Sequence, residues 1–170
     1  MANMIPISTV TVGSGGASSI DFTNIPQIYT DLVFKFSGRG TATANYITAQ
    51  LVLNGTSTTT NWSKRQLEGG DSTATSNSNA NSNIGYPPAA SMTSSTFGNF
   101  EIYIPNYAGS NNKSISIDSV GEGNSATSVY MDLIASLWSV TSPITSISIT
   151  PSSGNWAQYS SATLYGIRKY

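Results

Sequence analysis

Where apolar residues recur in this chain they recur at every second position, which is the period of a half-buried β-strand. Leu32, Phe34 and Phe36 alternate with Val33 and Lys35, and Ala49, Leu51 and Leu53 with Gln50 and Val52. Phe100, Ile102 and Ile104 alternate with Glu101 and Tyr103 until Pro105 ends the run. Ile115 and Ile117 alternate with Ser114, Ser116 and Asp118 until Gly121-Glu122-Gly123-Asn124 breaks the strand. Met131, Leu133, Ala135 and Leu137 form the longest regular alternation and mark a central strand. Ile147 and Ile149 stop at Pro151, a Ser152-Ser153-Gly154-Asn155 turn follows, and Ala162 to Ile167 reads as the terminal strand. Asn54-Gly55 accepts the positive φ angles of a type I′ turn and predicts a reversal into Thr58 to Leu67. Only Ser63 to Glu68 strings together helix formers; the run is too short to hold a helix unaided and reads as a strand or a single turn.

About eight to ten short strands without intervening helices predict an all-β antiparallel sandwich of jelly-roll type. At 170 residues the chain fits one domain spanning 1–170. The expected core is Leu32, Phe34, Phe36, Leu51, Leu53, Ile102, Ile115, Ile117, Leu133 and Leu137. Gly69 to Asn83 contains no large apolar side chain and reads as a solvated loop, at about 69–83, either free or ordered by a neighbouring subunit.

Cys and His are both absent. Disulfides, thiolate metal sites and the imidazole of a Ser-His-Asp arrangement are therefore excluded, and neither a metal nor a cofactor is expected. Charged residues make up 9% of the chain; 29 Ser, 20 Thr and 15 Asn supply the polar groups instead. No cationic run exceeds the pairs Lys64-Arg65 and Arg168-Lys169, which argues against nucleic acid as a partner. A net charge of −1 gives little colloidal repulsion and points to an assembled state. The N-terminus lacks the pattern of a signal peptide, and no apolar run approaches the ~20 residues of a membrane span.

Asp118 and Asp132 are expected to point to solvent from the polar sides of their strands, and Glu68 and Asp71 lack calcium-loop spacing. No Gly-x-Ser-x-Gly elbow is present, and Gly13-Ser14-Gly15-Gly16 reads as a turn. No catalytic residue is assigned and no enzyme is expected. The aromatic residues are the richer set. Trp62 and Trp156, beside Asn61 and Asn155 and with Tyr159 nearby, suit either a glycan platform or a subunit contact, since each ring joins a large apolar area to a polar tip. Trp138, in line with Ile134, is expected inside.

Four segments in order carry a family resemblance. They are Phe22-Thr-Asn-Ile-Pro-Gln-Ile-Tyr-Thr-Asp-Leu32, Ile104-Pro-Asn-Tyr-Ala-Gly109 with Lys113-Ser-Ile-Ser-Ile-Asp-Ser-Val120, Leu137-Trp-Ser, and Ala162-Thr-Leu-Tyr-Gly-Ile167. From about Thr11 onward the chain resembles small β-rich proteins common in tailed-phage genomes, especially marine ones. The resemblance implies a virion structural component made in the host cytoplasm: a capsid decoration protein, or a piece of a fibre or tail. The implied partners are further copies of the chain, a trimer being one arrangement, and phage capsid proteins. Host surface glycans enter as a partner only if the domain is a receptor-binding module.

Overall fold

The structure, a computed structural model, describes residues 3–56, 59–70, 73–124 and 129–168. Regular structure among them is extended, apart from one 3-10 turn at Thr59–Asn61. The strands are β1 (Asn3–Thr11), β2 (Ile20–Phe22), β3 (Asp31–Gly38), β4 (Ala49–Leu53), β5 (Trp62–Gly70), β6 (Thr73–Asn79), β7 (Asn83–Gly85), β8 (Gly98–Pro105), β9 (Lys113–Gly121), β10 (Tyr130–Trp138), β11 (Ile147–Pro151) and β12 (Ser161–Arg168). Every pairing is antiparallel. One sheet runs β1-β12-β3-β8-β9-β10-β5-β6 and the other β2-β11-β4-β7.

The two sheets pack as a sandwich because each turns an apolar face inward. Phe34, Phe36, Ile102, Ile115, Ile117 and Leu164 of the large sheet meet Ile20, Leu51, Leu53, Ile147 and Ile149 of the small one in a single buried cluster. Trp156 fills the space beside Phe36, its ring 4.8 Å away and edge-on, and its indole N–H is satisfied by the Ile149 carbonyl at 2.9 Å. With β5, β6, β9 and β10 set aside, the remaining eight strands lie in the order first, eighth, third, sixth in the large sheet. In the small sheet the order is second, seventh, fourth, fifth. The four strands set aside continue the large sheet past β8 as an extension, β9-β10-β5-β6.

Three local expectations are corrected. Asn54 and Gly55 do adopt positive φ, 51° and 70°, and Leu53 bridges Thr56 across the turn. The reversal does not continue as a hairpin, because β4 and β5 lie in different sheets. The Asn54 side chain instead accepts the Thr145 amide at 2.8 Å and fastens the turn to the segment before β11. Within the segment from Gly69 to Asn83, Asp71 and Ser72 lie outside the described residues; the rest is not a loop, since it ends β5, contains all of β6 and begins β7. Strand β6 is fully exposed and is held by its ladder to β5, so side-chain pattern could not announce it.

The third correction concerns β10. Leu133 and Leu137, expected in the core, face outward with Met131, while Asp132, Ile134, Ser136 and Trp138 face inward. Its neighbour β9 sets this choice. Ile115 and Ile117 oppose Ser136 and Ile134, so the opposite facing of the pair would carry Asp118 into the core and both isoleucines out of it.

Candidate functional site

The inverted β10 gives the extension two unlike faces. On the outer face Met131, Leu133 and Leu137 of β10 run beside Leu67 of β5 and Val120 of β9. Met131 is 62% exposed, and Leu133 and Leu67 are each 59% exposed. Outer sheet faces are ordinarily polar, as β8 is here with Asn99 and Glu101. Shallow hollows of about 610 and 530 Å³ lie along this stripe, over Met131 and Val120 and over Leu67 and Leu133 respectively.

The inner face carries a polar cluster at the end of the sheet where β5 finishes and β10 starts. One Gln66 amide nitrogen donates to Glu68 at 2.8 Å and to Asp132 at 2.7 Å, so the two carboxyls stand no farther apart than those bonds laid end to end. The Ser119 hydroxyl donates to the other Asp132 oxygen at 3.0 Å, and Lys64 reaches the Asn83 carbonyl at 3.3 Å. Burial pushes the Asp132 carboxyl above its ordinary range, opposed by its hydrogen bonds and by Lys64. Glu68 is pushed up by burial and then by the charge of Asp132, while burial lowers Lys64. Tyr86 partly offsets the rise at Glu68 and packs with Tyr46 and Tyr130, ring centroids 4.7 to 5.6 Å apart. Two close carboxyls are the equipment of glycoside hydrolysis, where a scissile bond must pass between them. Asp132 is only 4% exposed, so no substrate bond reaches that position. The correction to its expected outward position follows from the facing of β10.

The residues singled out in the sequence are not gathered into one site. Trp62 begins β5, directly opposite Trp138, and Trp156 lies near Gly40 at the other end of the large sheet. Both are buried within the single chain and offer no exposed ring. Asn61 accepts the Ser139 amide through its carbonyl at 2.9 Å, and Asn155 exchanges hydrogen bonds with Thr41. Tyr159 is exposed, at a positive φ of 71°. The indole nitrogens of Trp62 and Trp138 are buried without a hydrogen-bond partner.

The segments that carried the resemblance meet at one end of the large sheet as fastenings. Asp31, fully buried, accepts the Asn106 amide at 3.0 Å and the Tyr103 hydroxyl at 2.8 Å. The Tyr107 hydroxyl donates to the Pro26 carbonyl. Lys113, also fully buried, donates to the carbonyls of Gly109, Asn111, Thr141 and Ser142, tying the turn before β9 to the segment after β10. Gly166 leaves room for the Tyr29 ring; a Cβ there would lie 2.3 Å from it. At the opposite end Arg39 binds the carbonyls of Met92, Thr93 and Thr96.

Among the described residues no group of three or more His, Cys, Asp or Glu could hold a metal, and no helix is long and apolar enough to cross a membrane. The chain matches no known protein family, no curated protein and no solved structure.

Proposed function

We propose that this chain is a non-enzymatic structural protein of a tailed-phage particle, a decoration protein that seats on the capsid shell through the outer face of its large sheet. The observation that carries the reading is the stripe of Leu67, Met131, Leu133 and Leu137, left open on a face where a free-standing domain would place polar side chains. Its use against capsid protein accords with the family resemblance and with a surface nearly free of charge. The strand order supports a jelly roll as the body of the domain. A chain folded in half pairs first with eighth, second with seventh, third with sixth and fourth with fifth strands. Winding that ribbon interleaves the pairs into the two observed orders. The test is location: mass spectrometry and cryo-EM of assembled particles should place the chain on the head. Density confined to the tail, or absence from purified virions, refutes the proposal.

A receptor-binding role has one observation in its favour, the cluster of Tyr46, Tyr86 and Tyr130 beside Glu68 and Gln66, with Tyr46 38% exposed. Tyrosine rings and amide groups are the means by which a protein reads a sugar. Glycan-array binding lost in Tyr46→Ala would favour this reading over decoration.

A further inference from the structure

The four edges of the two sheets are treated differently. An edge strand offers unpaired backbone groups to any passing strand, and proteins block this with short strands, bulges, prolines or charges. Edge β1 carries Pro6 and a register shift between Pro6 and Ser8. Edges β2 and β7 are three residues long. Edge β6 has none of these devices: it is seven residues of Thr-Ala-Thr-Ser-Asn-Ser-Asn, without charge or proline, paired to β5 without a bulge. Both of its faces are exposed, and among the described residues it has a strand partner on one side only.

We infer that β6 is an interaction edge and that its occupant is the β6 strand of a second copy of this chain, paired antiparallel about Ser76. The sequence is self-complementary in that register. Thr73 falls opposite Asn79, Ala74 opposite Ser78, Thr75 opposite Asn77, and Ser76 opposite its own counterpart. Every pair is small and uncharged, and no like charges are brought face to face. The net charge of −1 adds no long-range repulsion between copies. The contact is isologous, so it closes at two copies and does not propagate. The result is one continuous sheet across both molecules. The inference stands on the edge itself, whether or not the chain belongs to a virion.

The absence of cysteine makes the register directly testable. In Ser76→Cys the two thiols fall directly opposite one another, within the Cα separation of about 4.4–6.8 Å that a disulfide needs. In Thr73→Cys the two thiols lie at opposite ends of the paired strands and cannot meet. Under mild oxidation Ser76→Cys should give a covalent dimer in good yield and Thr73→Cys almost none. Sedimentation of the unmodified chain should show a concentration-dependent dimer, and Ser76→Lys, which sets two ammonium groups opposite each other, should shift it to monomer. The far-UV circular dichroism spectrum of Ser76→Lys should match that of the parent, because the side chain is exposed. A chain that stays monomeric at millimolar concentration overturns the inference. So does cross-linking that is equal at positions 73 and 76, or a dimer indifferent to Ser76→Lys.

Discussion

Leu133, expected in the core, and its neighbour Ile134 lie on opposite faces of β10, so truncating each in turn is a direct test of how the strand faces. Leu→Ala removes three carbons, worth about 2.4 kcal/mol when fully buried at ~0.8 kcal/mol per methylene. Leu133 is 59% exposed. Only about two-fifths of that transfer energy is at stake, giving a loss of about 1 kcal/mol. Ile134 is 1% exposed and packs in the main core. Its truncation forfeits the whole transfer term and leaves a cavity, a loss of about 3–4 kcal/mol. Urea denaturation followed by the fluorescence of Trp62 and Trp138, one on each of the paired strands β5 and β10, reports both values. For a chain of this size the difference of about 2–3 kcal/mol separates the two melting temperatures by roughly 4–12 °C. A Leu133→Ala variant that loses 2 kcal/mol or more, with Ile134→Ala losing less, would show that β10 faces the other way and that no apolar stripe exists.

Lys113→Met should cost about 1–3 kcal/mol in chemical denaturation, since it removes the charged donor that four backbone carbonyls share while relieving a buried charge; an unchanged midpoint would show the fastening to be idle. Gly166→Ala should cost roughly 1–3 kcal/mol through collision with Tyr29, and an unchanged midpoint would refute the close approach. The carboxyls of Glu68 and Asp132 hold their protons to higher pH when folded, so the folded state binds more protons between the unfolded and folded values. Their contribution to stability is therefore fully present below the unfolded carboxylate value of about 4 and is lost as pH rises through the folded values. Asp132→Asn should flatten that decline in urea titrations carried upward from about pH 4; a parent chain whose stability instead rises with pH above that value would contradict the assignment.

Most strands were legible because period-two alternation and Pro or Gly punctuation agree locally, as at β8 with Pro105 and β11 with Pro151. What stayed hidden was decided by neighbours far along the chain. Alternation in β10 reveals two faces without saying which one is covered, and β9 makes that choice. Strand β6 has no apolar period, because its extended shape comes from backbone pairing. Charge misled for a related reason. Asp31, Arg39, Lys64, Lys113 and Asp132 are all buried, so a chain with few charges spends several of them as internal fastenings. No sequence pattern marks this, since each carbonyl that holds Lys113 or Arg39 is backbone and could come from any residue. The tyrosine cluster is equally silent: Tyr46, Tyr86 and Tyr130 come from three distant segments and meet only where the sheet ends.

The extension β9-β10-β5-β6 is where both proposals converge, and geometry makes them compatible. The main apolar core runs from the eight-strand body into β9, β10 and the start of β5, and β7 reaches over β9 and β10, leaving β6 bare on both faces. Antiparallel pairing of two β6 strands about Ser76 uses a two-fold axis normal to the sheet. Such an axis exchanges the copies without turning either over, so the two stripes of Leu67, Met131 and Leu133 emerge on the same side. Two copies joined through this edge therefore present one broad apolar surface in a single direction, which suits attachment to a shell. A contact made face to face between stripes would instead bury that surface inside the pair and leave nothing to seat.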